Sequence, residues 1–178
     1  SGSLEAQISA ISDDIAYNNH DIQDGIRAKM FNLDDLIEIN FFKEIYKSHK
    51  KNIKNNNKDI LIYQVIRDSI DLMVHDLIKN TKKNIKSNNI KSLKNVYNLN
   101  GPIVCFSNNF LSIEKEIRFF LRSKMYNNKK VLLKNNQGKI IFKNLFYKIK
   151  KTPKRFMNAD QLKKDTNRAI ADYISGMT

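Results

Sequence analysis

Two prolines and five glycines in 178 residues leave this chain few places at which a helix must stop. No stretch sustains the apolar/polar alternation of period two that a half-buried strand requires. Apolar residues recur instead at spacings of three and four. Leu4, Ile8, Ile11, Ile15 and Ile22 fall in one stripe at 3.6 residues per turn. An all-α bundle is the expectation.

Helix signals divide the chain. The first helix starts near Leu4 and should stop at Gly25, a natural residue just past a helix end. Asn32 can cap a second helix to about Lys47, with Asp34 and Asp35 complementing its dipole and Leu36, Ile37, Phe41 and Ile45 buried. Lys50 to Lys58 reads as an exposed, mobile polar connector. A long helix over Asp59 to Lys83 turns Ile62, Val65, Ile66, Ile70, Met73, Leu77 and Ile78 inward. Arg67 and Asp71 form an i,i+4 pair on it, worth roughly 0.3–0.5 kcal/mol if exposed. Residues 84–98 are ambiguous, and Gly101-Pro102 breaks the chain. Ile103 to Phe106 is extended, and Ser107 can cap a helix to about Tyr126, whose Phe110, Leu111, Ile113, Ile117, Phe120, Leu121 and Met125 read as core. Lys129 to Ile149 is a further helix weakened near Gly138 and ended by Pro153; the last starts at Asn158 and meets Gly176.

Charge is uneven. Residues 1–44 hold nine acids and three bases, net −6; residues 45–178 hold nine acids and 29 bases, net +20. A field of that sign concentrates phosphates and nucleic acid and argues for anionic partners. Lys, Asn and Ile dominate the whole sequence, so compositional drift is an equal account of any single lysine run. Cys105 is the sole cysteine, which excludes an internal disulfide and a zinc finger and suggests a reducing cytoplasm. It reads as a small buried hydrophobe. No apolar run is long enough to span a membrane, and the first residues lack the basic and apolar regions of a signal peptide. HExxH, G-x-S-x-G and glycine-rich phosphate loops are all missing.

The chemistry-bearing feature is the polar front of the first helix. Asp13, Tyr17 and Asp21 lie at i, i+4 and i+8, drifting about 40° per step and rising about 12 Å in all, near the length of a nucleotide. Ala6 and Ala10 leave the first turns of that side unshielded. A solvated acidic face is the plain alternative. Against it, this face carries no Lys or Glu, and Tyr17, Asn18, Asn19 and His20 suit a pocket wall. Periodicity leaves the choice open.

The words SLEAQISAISDDIAYNNHDIQDG resemble the SLEAQ–D–IAYN–HD–DG helix of the deoxyguanosine-triphosphate triphosphohydrolase-like enzymes, a branch of the HD-domain phosphohydrolases. VIRDSIDLMVHDLI is similar to their following long helix, VCFSNNFLSIEKEIRFFLRSKMYNN to their next, and ADYISGMT to the start of their C-terminal motif. The resemblance implies a multi-helix HD-domain-like bundle of which residues 1–178 are the C-terminal part, with a metal- and sugar-binding helix over 1–25 and a helical remainder over 26–178. It further implies that Asp13 is the last metal ligand of an H…HD…D set, that Tyr17 packs on a deoxyribose, and that Asp21 accepts a hydrogen bond from the 3′-hydroxyl. The reaction implied is metal-dependent hydrolysis of a deoxynucleoside triphosphate to deoxynucleoside and intact triphosphate, by a homo-oligomer. A mixed imidazole and carboxylate set suits Mn, Mg, Fe, Co or Ni.

One departure matters. The first His and the His-Asp pair that precede SLEAQ in those enzymes are absent, and His75-Asp76 sits in the downstream helix instead. The chain by itself is therefore expected to be catalytically inactive. Two other readings stand beside the hydrolase: a basic helical nucleic-acid-binding module, which can coexist with it if the enzyme also binds single strands through this surface, and an oligomerisation or regulatory module without chemistry.

Overall fold

The computed structural model describes residues 2–50, 58–162 and 165–177. Among them there are helices and turns and no strand, so the all-α expectation is met. The chain forms two compact units, Ser1–Asn128 and Lys129–Thr178.

In the first unit α1 spans Leu4–Arg27, α2 Leu33–Leu36, α3 Asn40–Lys50, α4 Lys58–Ser87, α5 Leu93–Tyr97 and α6 Asn108–Leu121, the last continuing into a π-helical turn over Arg122–Tyr126. Its core joins Ile15 and Ile22 of α1 to Leu36, Phe42, Val65, Met73, Ile117 and Leu121. Each fully buried side chain of that size contributes about 1.5–3 kcal/mol. Phe31 meets Phe120 edge to face, ring centroids 4.8 Å apart.

The end of α1 departs from expectation. Gly25 lies inside the helix and is buried, and the chain turns at Lys29, whose φ of 54° is left-handed. A Cβ on Gly25 would overlap the ring of Phe31. The glycine serves a close approach and not a stop.

Asn32 caps as expected. It accepts from the Asp35 N–H at 3.0 Å, and Asp35 accepts from the Asn32 N–H at 2.9 Å. The single helix expected to follow is two, α2 and α3. Between them the amides of Glu38 and Ile39 reach back only three residues, to Asp35 and Leu36, and this tighter winding buries Leu36, Ile39 and Phe42 together. Ile37 and Phe41 are consequently only half-buried. Of the expected connector, residues 51–57 lie outside the described residues.

α4 is longer than its pattern suggested. It buries Leu61, Val65, Ile66, Met73 and Leu77 but leaves Ile78 exposed. Asp71 pairs with His75 at 3.3 Å, one turn on. The ambiguous stretch resolves into the end of α4, a left-handed turn at Asn89, and α5 capped by Ser92.

The extended segment after Gly101-Pro102 is buried at Ile103, Val104 and Phe106 without belonging to any ladder. Side chains satisfy its backbone instead. Gln7 Oε1 accepts from the amides of Ile103 (2.8 Å) and Val104 (3.1 Å). Asn84 and Asn80 donate to the Ile103 and Cys105 carbonyls, both at 2.9 Å, and Asp76 accepts from the Ser107 amide at 2.8 Å. Cys105 is half-buried among these amides and is not the enclosed hydrophobe expected.

In the second unit α7 spans Lys129–Lys151, α8 Ala159–Leu162 and α9 Thr166–Ser175. α7 passes through Gly138 unbroken, since one glycine costs a helix only about 1 kcal/mol. The single last helix expected from Asn158 is two, because Asp165 is extended and caps α9 by accepting from the amides of Asn167 and Arg168. Ile149, Met157, Ile170 and Ile174 make its core.

Candidate functional site

α1 divides its polar residues between two sides. Asp13 and Tyr17 face solvent, Tyr17 with 62 % of its surface open, while Asp21 is half-covered. Asn18 and Asn19, expected beside them as pocket wall, turn the other way and are buried. The Asn19 amide donates to the Ile15 carbonyl at 2.8 Å and touches the Met73 sulfur at 3.8 Å. His20 is exposed. The row Asp13–Tyr17–Asp21 therefore stands on an open face of the first unit.

α6 and its π-helical turn bring the partners of that row. Tyr126 donates its phenol proton to Oδ2 of Asp21, across 105 residues of sequence. Arg118 Nη2 meets Asp14 Oδ2 at 2.9 Å and its Nε binds Glu114. A π-turn admits one extra residue, so the side chains after it are rotated by about 100° relative to a continued α-helix. The Asn127 amide bonds to the Arg122 carbonyl five residues back, at 3.0 Å. Lys124, in the same turn, reaches Asp35 at 3.1 Å. The turn is thus pinned to α1 on one flank and to the start of α2 on the other.

Electrostatics follow from these contacts. Burial, and then the bond to Asp21, push the Tyr126 phenol up to about 12. It remains a proton donor throughout the neutral range, which leaves Asp21 an acceptor with free lone pairs. The hydrogen bond that Arg118 donates to Glu114 foremost, with Asp14 behind it, raises Arg118 above its ordinary value and keeps it charged. Asp35 is held low, first by the Asn32 amide and then by Lys124.

A metal ion fits this set only in part. Asp13 is an exposed carboxylate and a competent oxygen ligand. Among the described residues, however, no three His, Cys, Asp or Glu side chains come close enough to hold a metal. The described residues do not make a metal centre by themselves.

The acidic row is legible in the sequence, whereas nothing there singles out Tyr126 or Arg118. For Arg118 the signal available was Glu114 one turn before it. For Tyr126 there was none, because nothing in RSKMY announces the wider turn.

Residues 104–178 match the family model described as a phosphohydrolase-associated domain. Across its whole length the chain is 84 % identical to a deoxyguanosinetriphosphate triphosphohydrolase-like protein of Pelagibacter ubique (strain HTCC1062), covering 48 % of that protein. A protein of the same description from Leptospira interrogans serovar Lai is 33 % identical over 99 % of the chain and 48 % of its own length. One from Bartonella quintana (strain Toulouse) is 34 % identical over 98 % of the chain and 45 % of its own. The chain is thus similar along its whole length to proteins described as deoxyguanosinetriphosphate triphosphohydrolase-like, and it spans about half the length of the curated relatives it matches.

Proposed function

We propose that this chain supplies the sugar-side wall of a metal-dependent deoxynucleoside triphosphate triphosphohydrolase, which converts the nucleotide and water to deoxynucleoside and triphosphate. The observation that carries the reading is the solvent-facing row Asp13, Tyr17 and Asp21, with Asp21 fastened at its far end by Tyr126.

Each residue has a task its chemistry suits. Asp13 gives one ligand to a divalent cation whose other ligands lie beyond the described residues; the cation, Mn, Mg, Fe, Co or Ni, would polarise the phosphoryl group. Tyr17 offers an unblocked ring face to the deoxyribose. Asp21 keeps one oxygen for the 3′-hydroxyl while Tyr126 occupies the other, making Tyr126 a positioning residue. Arg118, paired with Asp14 and Glu114, is a fixed cation beside this helix and would face the phosphates. The same reading includes assembly as a homo-oligomer, supported by the exposed Leu133, Ile141 and Phe142 on α7.

The test is triphosphate release by the intact protein. Asp13→Ala should abolish it, and Asp21→Ala should raise KM for a deoxynucleotide by about 10- to 100-fold, the effect of one lost charged hydrogen bond of about 1.5–3 kcal/mol. The 178-residue chain alone should release none. Unchanged hydrolysis by Asp13→Ala sinks the assignment.

A further inference from the structure

A π-helical turn carries one residue more than the α-helical ladder accommodates, so it persists where surrounding contacts hold it. The turn over Arg122–Tyr126 has no side-chain cap of its own. Two of its polar side chains reach other elements: Lys124 meets Asp35, and Tyr126 donates to Asp21. Lys124 and Tyr126 are two residues apart in the turn, whereas Asp21 and Asp35 are 14 apart in the stretch from α1 to α2. Between these anchor points Phe31 packs on the edge of Phe120. The turn and the α1–α2 corner are thus joined at three places.

Asp35 is committed at both oxygens. Oδ2 accepts from the Asn32 amide at 2.9 Å, and Oδ1 meets Lys124 Nζ at 3.1 Å. The first of these bonds belongs to the capping box of α2, so Asp35 is a fixed post that cannot follow Lys124 without opening that helix. Both side chains are partly open to water, and a pair of that kind adds little to folding stability. Its effect is on where the turn sits. Were the turn to wind as plain α-helix, the side chains after it would rotate by about 100° and Tyr126 would leave Asp21.

We propose that the Asp35–Lys124 pair is a positioning contact, which holds the π-turn in register so that Tyr126 occupies one oxygen of Asp21 and the other is presented to a 3′-hydroxyl. Neither Lys124 nor Asp35 touches the nucleotide; together they set how strictly the site demands that hydroxyl. The part about the hydroxyl rests on the hydrolase reading, and the control of Tyr126 by Lys124 does not.

The experiment compares the intact protein with Lys124→Met, Lys124→Arg and Asp35→Asn. Met removes the ammonium at little cost in helix propensity, and Arg can still pair with Asp35. Asn keeps an oxygen for the Asn32 amide and loses the charge opposite Lys124. The first readout is the Tyr126 phenol, assigned by difference from Tyr126→Phe. Loss of a cation would by itself raise it. Release of the turn removes both burial and the Asp21 bond, the two largest causes that hold it at about 12, and lowers it. Lys124→Met and Asp35→Asn should therefore titrate below 12, and Lys124→Arg close to 12. The second readout is the ratio of kcat/KM for a deoxynucleoside triphosphate to that for its 2′,3′-dideoxy counterpart. Lys124→Met should lower this ratio by about 3- to 10-fold, the size of a coupling between neighbouring contacts, and Lys124→Arg should restore it. A phenol that rises or stays at 12 in both Lys124→Met and Asp35→Asn overturns the proposal, as does a lowered phenol with an unchanged ratio. An intact protein that hydrolyses neither nucleotide overturns the hydrolase reading and the hydroxyl role with it, while the titration still decides whether Lys124 holds Tyr126.

Discussion

The hydroxyl of Tyr126 and the carboxylate of Asp21 are hydrogen-bonded although 105 residues separate them. The bond closes the far end of the α1 acidic row and depends on the wider turn in which Tyr126 sits.

Titration of the phenol checks that contact. Tyr126 should ionise near 12, where its ordinary value is 10.0. Its contribution to stability is complete below pH 10 and is lost as pH rises through 12, because the neutral phenol is the favoured form. Asp21→Asn should lower the value yet leave it above 10, since burial is the larger cause. Tyrosinate absorbance of the wild type, Asp21→Asn and Tyr126→Phe reads this directly; a step at 12 that survives in Tyr126→Phe belongs to another tyrosine.

Gly25 and Phe31 give a packing prediction. Gly25→Ala should destabilise the first unit by about 1–3 kcal/mol through overpacking against the ring. Phe31→Ala alone opens a cavity and should cost about 3–5 kcal/mol. Combined, the two should cost clearly less than their sum, because the ring that clashes with the new methyl is gone. Urea unfolding of the four proteins closes the cycle, and strict additivity contradicts the contact.

Gly138 is the opposite case. It lies within α7 with nothing near the place of a Cβ. Gly138→Ala should therefore raise stability, by about 0.5–1 kcal/mol, chiefly through the unfolded chain. A lower urea midpoint in the second unit would mean that the helix is not continuous there.

Acid should loosen the start of α2. Asp35 has a carboxyl held below its ordinary 3.8 on folding, so its stabilisation is present above that value and lost as pH falls through the folded one. Asp35→Asn should be less stable than wild type at neutral pH, and the gap should narrow below pH 3.8. A gap that stays constant with pH would assign the effect to the cap geometry alone.

Why some of this was legible and some was not is physical. Caps are local, so Asn32 and Ser107 could be read from a few neighbouring residues, and both cap where expected. The α1 row was legible because i, i+4 and i+8 is a property of one helix. Breaks decided by packing were not: the chain winds tightly at 37–39 so that Ile39 can enter the core beside Leu36 and Phe42. Asn18 and Asn19 looked like pocket residues by type, but rotation about α1 places them inside. Gly25 was read by its usual role at a helix end, whereas its reason is a ring six residues on.

The carboxamide of Gln7 holds two consecutive amides, Ile103 and Val104, while Asn84 grips the carbonyl of Ile103 from the other side. A single peptide run is thus clamped between α1 and α4 like a key between two wards. Sliding either helix by one residue, about 1.5 Å, would strip those bonds and leave buried polar groups bare. The acidic face of α1 and the inner face of α4 are in this way indexed to a common fixed point.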